Sequence, residues 1–314
     1  MKRIGIIGVG NIGATLAHIV LQSKISAHIG LYDVNKDALQ GKLWDLEEAS
    51  VIGGYEGNIS IIHDLDAFEL FDVLVITAGR PRVHGMDRKD LLKENASILQ
   101  AIAREVKNFK GVCVIVTNPV DLMTRFFSYL LSLPKTQVLG MAGVLDEARM
   151  ALQIKSMTGL KVQSMRTCVV GPHSEHMIPL EAVGIGPGVL TDIMLISEEQ
   201  KKLLNKNTRF GGGRIVEKLK SGSAFYGPAA ACFRILQNVL ELKQEVLTCS
   251  VFMGENSKFS EISQEIFFGW PVFLGKEGVK KMITPKMNEK EKEELREVLG
   301  KLQKEYLEFF ESMV

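Results

Sequence analysis

His173 stands in T-C-V-V-G-P-H-S-E-H-M-I-P, Thr167 to Pro179, where an apolar, strand-like segment from Thr167 to Val170 runs into a Gly-Pro break. An imidazole delivered at a strand's end can exchange a proton near neutral pH if an acid orients it and cations hold a substrate against it. The chain offers both: an acid at Asp146, and arginines at Arg82, Arg88 and Arg149. Each also has a plainer reading. Asp146 and Arg149 lie three apart in G-V-L-D-E-A-R, on one helical face, which equally suits a capping acid with a helical ion pair. The stretch A-G-R-P-R-V-H-G-M-D-R, Ala78 to Arg88, reads as a flap that closes or as a solvated loop. Asn118 in T-N-P-V-D is a side-chain amide for a crevice or a cap for the helix that follows. His173 and His176 lack a third ligand nearby, so no metal site is expected.

These residues need a frame, and the N-terminal half predicts one. Ile4 to Val9 is a β-branched apolar run that ends in Gly8-Val9-Gly10-Asn11-Ile12-Gly13, followed by a helical pattern and a second apolar run, Ala27 to Tyr32, ending on Asp33. This strand, glycine turn, helix, strand and acid order is that of a dinucleotide site. Gly8 permits the tight turn, Gly10 lets a pyrophosphate approach the backbone, and Gly13 lets the helix pack closely on the strand. Asp33 is placed to accept hydrogen bonds from ribose hydroxyls and to repel a 2′-phosphate, which favours NAD over NADP. Further strands are expected at Ile59 to Ile62, Val73 to Thr77, Val112 to Val116 and Val138 to Met141, with helices at Lys36 to Ser50, Lys89 to Val106 and Pro119 to Leu131. Continuous apolar strands between amphipathic helices predict a doubly wound parallel sheet of the Rossmann type, with its crevice at the strands' carboxyl ends. Each chemical motif begins where one of these strands stops.

The alternation ends beyond Leu160. Ser164 to Val170, Glu245 to Met253 and Glu265 to Leu274 read as antiparallel strands, with helices at Glu198 to Leu219, Phe225 to Leu242 and Glu289 to Met313. The expectation is an α/β chain in two tightly joined domains, a dinucleotide domain over 1–142 and an α+β substrate domain over 143–314. A net charge of +1 supplies no field to recruit nucleic acid or an anionic membrane. No apolar run approaches the ~20 residues that span a bilayer, and the glycine-rich start does not read as a signal peptide. The four cysteines, at 113, 168, 232 and 249, have no C-x-x-C spacing and read as free thiols of a reducing compartment, which points to the cytoplasm.

Taken in order, these motifs resemble the lactate/malate dehydrogenase superfamily over essentially the whole chain, most closely its lactate-dehydrogenase-like malate dehydrogenases. G-V-G-N-I-G with Asp33 is similar to the cofactor fingerprint, T-A-G-R-P-R-V-H-G-M-D-R-K-D-L-L-K-E-N to the flap and following helix, and T-N-P-V-D to the asparagine turn. G-V-L-D-E-A-R looks like the acid–arginine helix, and G-P-H-S-E-H-M-I-P stands in the place of the histidine loop. The resemblance implies NAD contacts at Gly8, Gly10, Asn11, Ile12, Gly13, Asp33, Thr77, Ala78, Gly79, Asn95, Val116 and Asn118. It implies catalysis by His173 oriented by Asp146, with substrate held by Arg82, Arg88, Asn118 and Arg149. It also implies a homodimer or homotetramer, for which the helix over Ala38 to Ala49, with Leu43, Trp44 and Leu46, is one candidate contact.

Arginine at 82, rather than the glutamine usual in lactate dehydrogenases, implies a dicarboxylate, malate or oxaloacetate. The rivals are a lactate or other 2-hydroxy acid dehydrogenase, a catalytically silent NAD-binding sensor, and the NAD- and metal-dependent glycosidases, whose Cys/His metal site the sequence does not offer. The histidine loop departs from the family pattern at Pro172 and at Ser174-Glu175-His176, where Gly-Asp is usual after the histidine. The expectation is that this extra acid and imidazole shift the proton affinity of His173.

Overall fold

The computed structural model describes residues 1–311 apart from 26, 56, 81–87, 187, 191–195, 221 and 255–264. Arg82, and with it most of the expected flap, therefore lies outside the described residues.

Six parallel strands form the N-terminal sheet: β1 (Lys2–Ile7), β2 (Ala27–Tyr32), β3 (Asn58–Ile61), β4 (Val73–Ile76), β5 (Val112–Ile115) and β6 (Val138–Gly140). Their order is β6-β5-β4-β1-β2-β3, so the strand sequence reverses beside β1. Every residue of β4 and β5 is fully buried, which is why V-L-V-I and V-C-V-I read as unbroken apolar runs rather than alternating ones. The connecting helices are α1 (Asn11–Gln22), α2 (Lys36–Ile52), α3 (Arg88–Glu105) and α4 (Val120–Leu130). They follow the sequence expectation to within a few residues.

The second half opens with α5 (Gly143–Thr158). Short strands β7 (Met165–Arg166), β8 (Val169–Val170), β9 (Ile178–Pro179), β10 (Gly184–Ile185) and β11 (Gly188–Val189) follow. Next come α6 (Glu198–Arg209), α7 (Gly211–Leu219) and α8 (Tyr226–Val239). The chain then runs through β12 (Val246–Met253), β13 (Ile266–Gly275), β14 (Gly278–Met282) and α9 (Glu289–Glu311). The long antiparallel strands do not build a sheet of their own. β12 pairs with β6 at Ser250 opposite Gly140, so β12, β13 and β14 continue the parallel sheet to nine strands. One apolar core runs through both halves, from Ile4 and Val75 to Val251, Phe268 and Leu299. A smaller one, around Met150, Ile154, Met165 and Met177, lies where α5 meets α6.

Three expectations need correction. The single helix over Glu198 to Leu219 is two, because Phe210 leaves helical geometry ahead of Gly211-Gly212-Gly213 and the chain restarts there against Arg149. The strand over Ser164 to Val170 is a turn of 3-10 helix at Val162–Ser164 and then two short strands in different sheets. The Thr167 hydroxyl between them donates to the Glu147 carbonyl and draws the chain across to α5. The third is β14, which the sequence reading missed. Its two-residue turn after β13, Lys276-Glu277, carries no glycine of its own, and the positive φ falls on Gly278, inside the strand.

Candidate active site

The glycine turn after β1 shows which of its glycines the fold itself requires. Gly8 has φ +93, and a Cβ there would meet the Ala78 main chain at 2.4 Å. A Cβ on Gly13 would lie 2.2 Å from the Gly8 carbonyl. Gly10 differs: its φ is −72 and nothing stands within 4 Å of where a Cβ would be. No protein atom demands glycine there, whereas a ligand lying against the main chain would. Asp33 follows β2, with Oδ2 accepting from Val9 N–H at 2.7 Å and Oδ1 from Asn35 N–H at 3.0 Å. The carboxylate is thereby aimed at the turn, at the amino end of α1, where main-chain N–H groups favour phosphate. Lys42 of α2 donates to the Val9 carbonyl and Thr77 to the Gly8 carbonyl, pinning the turn from two sides.

Beside it, the carboxyl ends of β4 and β5 are tied together. The Thr117 hydroxyl donates to the Ala78 carbonyl at 2.6 Å. Asn95 of α3 accepts from Arg80 N–H at 2.7 Å and donates to the Asn118 carbonyl at 2.8 Å. Its side chain is buried, 1% exposed, and committed to the chain itself. Asn95, expected as a cofactor contact, anchors the start of the 80s turn to the Asn118 turn. Arg80 is held at 3.3 Å by Glu94 on the same helix.

His173 reaches the same end of the sheet from the second half. The N–H and carbonyl of Gly171 pair with Gly269 of β13 at 3.0 and 2.8 Å, fixing the end of β8. Gly171 has φ +93, a value only glycine adopts without strain, and this turns the chain toward α5. There His173 Nδ1 lies 2.7 Å from Asp146 Oδ2. The other oxygen of Asp146 accepts from Arg149 Nη1 at 2.8 Å. Asp146 is 3% exposed, His173 16% and Arg149 15%, so the three share a nearly dry site. Burial works against the imidazolium, but the charge and hydrogen bond of Asp146 outweigh it and raise His173 above the ordinary histidine value. The Arg149 side chain, whose Nε is buried without a partner among the described residues, rests against Gly211 and Gly212, where a Cβ would meet its Cδ and Nη2, each at 3.0 Å. The glycines at the head of α7 therefore make room for the arginine.

The departures in the histidine loop point elsewhere. Ser174 accepts from His176 N–H at 3.2 Å, and the His176 and Glu175 side chains face each other, exposed, at 3.9 Å. The shift at His173 is set by burial and by Asp146, Arg149 and Asp121, ahead of this exposed acid and imidazole. The acids that do crowd this region are ones the sequence reading passed over. Glu147 sits on the far side of α5 from Arg149, accepting from the Thr248 hydroxyl, and burial pushes it up to about 8. Asp121, two residues into α4's frame from its Pro119 cap, is also buried and reaches the His173 main chain. An acid in a first turn normally signals no more than a favourable helix dipole, so nothing local marked it.

Residues 2–140 match the family model described as lactate/malate dehydrogenase, NAD binding domain, and residues 143–313 match its lactate/malate dehydrogenase, alpha/beta C-terminal domain. A malate dehydrogenase of Pelagibacter ubique is 35% identical over 300 residues, covering 94% of this chain and 92% of that protein. The crystal structure of Cryptosporidium parvum malate dehydrogenase superposes with a TM-score of 0.91 at 33% identity, over 99% of both chains. The lactate dehydrogenase of the same organism, complexed with lactic acid and nicotinamide adenine dinucleotide, gives 0.87 at 30% identity, over 98% of this chain and 96% of that one.

Proposed function

The chain belongs to the lactate/malate dehydrogenase family, an NAD-dependent oxidoreductase group, and from that premise we propose that it interconverts (S)-malate and oxaloacetate. The observation that carries the proton chemistry is the contact between His173 Nδ1 and Asp146 at 2.7 Å. With Nδ1 so engaged, Nε2 is the nitrogen left to take the proton from the C2 hydroxyl of malate, or to return it to the carbonyl of oxaloacetate. Asp146 holds the ring in that tautomer and stabilises the cation formed. Arg149, already steered by Asp146, offers its remaining N–H groups as a fork for the C1 carboxylate. Asn118 hydrogen-bonds the substrate or the nicotinamide ribose. Arg88, at the head of α3, polarises the substrate oxygen. Bound NAD supplies the hydride acceptor. Gly8, Gly10, Asn11, Ile12, Gly13, Asp33, Thr77, Ala78, Gly79 and Val116 form its bed, and Asn95 keeps that bed in shape.

Arg82 sets the substrate. Arg80, across Pro81, is the competitor for that role, and its exposed ion pair with Glu94 favours Arg82 for the distal carboxylate. An unpartnered guanidinium closed over pyruvate would cost about 3–5 kcal/mol, or roughly two to four decades of discrimination. The test is a side-by-side assay of oxaloacetate and pyruvate with NADH, for the native chain and Arg82→Gln. The variant should raise the pyruvate-to-oxaloacetate rate ratio by at least an order of magnitude; an unchanged ratio removes the malate assignment.

The domain boundary falls at residue 142, at the amino end of α5. The four free thiols suit a cytoplasmic enzyme. Of the residues on α2, Leu46 turns into the core, while Trp44, Val51 and Ile52 are 60, 80 and 88% exposed and form the face on which a second copy would sit as a homodimer or homotetramer.

A further inference from the structure

Asp121 is a buried acid that the proton relay leaves unused. It lies in the first turn of α4, where a carboxylate ordinarily faces its own helix's free N–H groups. Here it does not. Its Oδ2 accepts from the main-chain N–H of His173 at 2.7 Å, across 52 residues of sequence and from the other half of the molecule. The side chain is 7% exposed, and burial pushes it up to about 6, so keeping a carboxylate at this place opposes its own ionisation. Its second oxygen and the Ser250 hydroxyl, from the strand that joins the two halves of the sheet, are both buried without a hydrogen-bond partner among the described residues. Ser250 nevertheless favours the ionised form.

We propose that Asp121 is a positioning residue for the reaction, fixing His173 through its main-chain N–H and adding a second negative charge behind the imidazolium. The ring is then held at two points. Asp146 sets its rotation from Nδ1, while Asp121 sets where the backbone delivers it. Two-point support of this kind determines the direction of Nε2 more tightly than either contact alone. Asp121 also lies three residues after Asn118, so the turn that presents a substrate amide and the loop that presents the base are joined by one carboxylate.

The charged groups facing His173 are Asp146 and Arg149 from α5 and Asp121 from α4. Those facing Asp121 are His173 and Asp146, with Tyr306 of α9 beyond, held neutral because burial raises its hydroxyl well above the ordinary value. Removing the Asp121 charge therefore leaves Asp146 as the anion beside His173 among the described residues, and the imidazole should lose its proton at lower pH.

The proposal rests on His173 as the base, and the experiment separates the two. Asp121→Ala, Asp121→Asn and His173→Ala are compared with the native chain in pH profiles of kcat/KM for malate and in NADH titrations by fluorescence. Asp121→Ala, which removes the acceptor, should lower kcat on the order of tenfold or more while NADH affinity stays within about twofold. Asp121→Asn keeps an acceptor oxygen and should lose less. In both, the acid limb of the profile should move down by roughly half a unit to one unit, which a merely structural loss would not do. If Asp121→Ala does not fold, the limb of Asp121→Asn decides. A limb that stays at its native position in Asp121→Asn, with His173→Ala inactive, overturns the role of Asp121 alone. Activity surviving in His173→Ala overturns the base, and the proposal with it.

Discussion

His173 Nδ1 and Asp146 Oδ2 are 2.7 Å apart at the junction of the two halves, and the same carboxylate holds Arg149 with its other oxygen. One buried acid thus orients both the proposed proton carrier and the proposed substrate grip. Its charge raises His173 above the ordinary histidine value. If His173 is the base, as proposed, malate oxidation needs the neutral ring and its rate should climb with pH through that raised value; oxaloacetate reduction would need the imidazolium and should decline over the same range. Asp146→Asn removes the charge, and the limb should shift to lower pH while kcat falls by about two to four decades. Paired pH profiles in the two directions check this, and a limb that stays in place would assign the titration to another group.

The two kinds of glycine in the turn after β1 should part on substitution. Gly13→Ala pushes a methyl to 2.2 Å from the Gly8 carbonyl, which should cost about 1–3 kcal/mol of stability. Gly10→Ala meets open space and should leave the thermal midpoint near the native one. Its cost should appear instead as NADH binding weakened by about tenfold, or ~1.4 kcal/mol. Calorimetry and a fluorescence titration separate the two, and equal losses of stability would show that Gly10 is structural.

Asn95 spends its amide on Arg80 N–H and the Asn118 carbonyl. Asn95→Ala leaves both without a partner, so turnover of oxaloacetate should drop by roughly tenfold while NADH affinity changes by less than about threefold. A large loss of NADH affinity with normal kcat would instead make Asn95 a direct cofactor contact.

Glu147 gives a stability test. Burial pushes its carboxyl up to about 8, so between the ordinary carboxylate value and that value the folded chain holds a proton the unfolded chain has released. Stability from this residue is full below the ordinary value and declines as pH rises toward 8. Glu147→Gln lacks that dependence. Its stability relative to the native chain should therefore grow between pH 5 and 8, by at most about 1.4 kcal/mol per unit. Urea midpoints at several pH values read the difference, and a gap that does not change with pH would mean that Glu147 is already ionised in the fold.

The parallel half was legible because its signals are local. V-L-V-I and V-C-V-I are apolar throughout since both faces are covered, and the glycine turn is constrained by atoms within its own strand–turn–helix unit. His173 could be named from sequence because it follows a strand, and Asp146 and Arg149 because they stand three apart on one helix, and the structure brings these three together. What sequence could not show depends on distant partners. The helix break at Phe210 answers to Arg149, sixty-one residues earlier. The backbone bond of Asp121 reaches a loop that no pattern near α4 announces. That β12 would extend the first sheet could not be read from its own alternation, since an antiparallel strand looks the same in any sheet.

Gly140, at the end of β6, faces Ser250 so closely that a Cβ would stand 2.9 Å from the serine's own and 2.5 Å from the Thr124 hydroxyl. The nucleotide-binding half is consequently no detachable cassette. A fragment ending at residue 142 would bare the β6 amides along a wholly apolar V-L-G margin, the kind of raw edge that recruits other chains into aggregates.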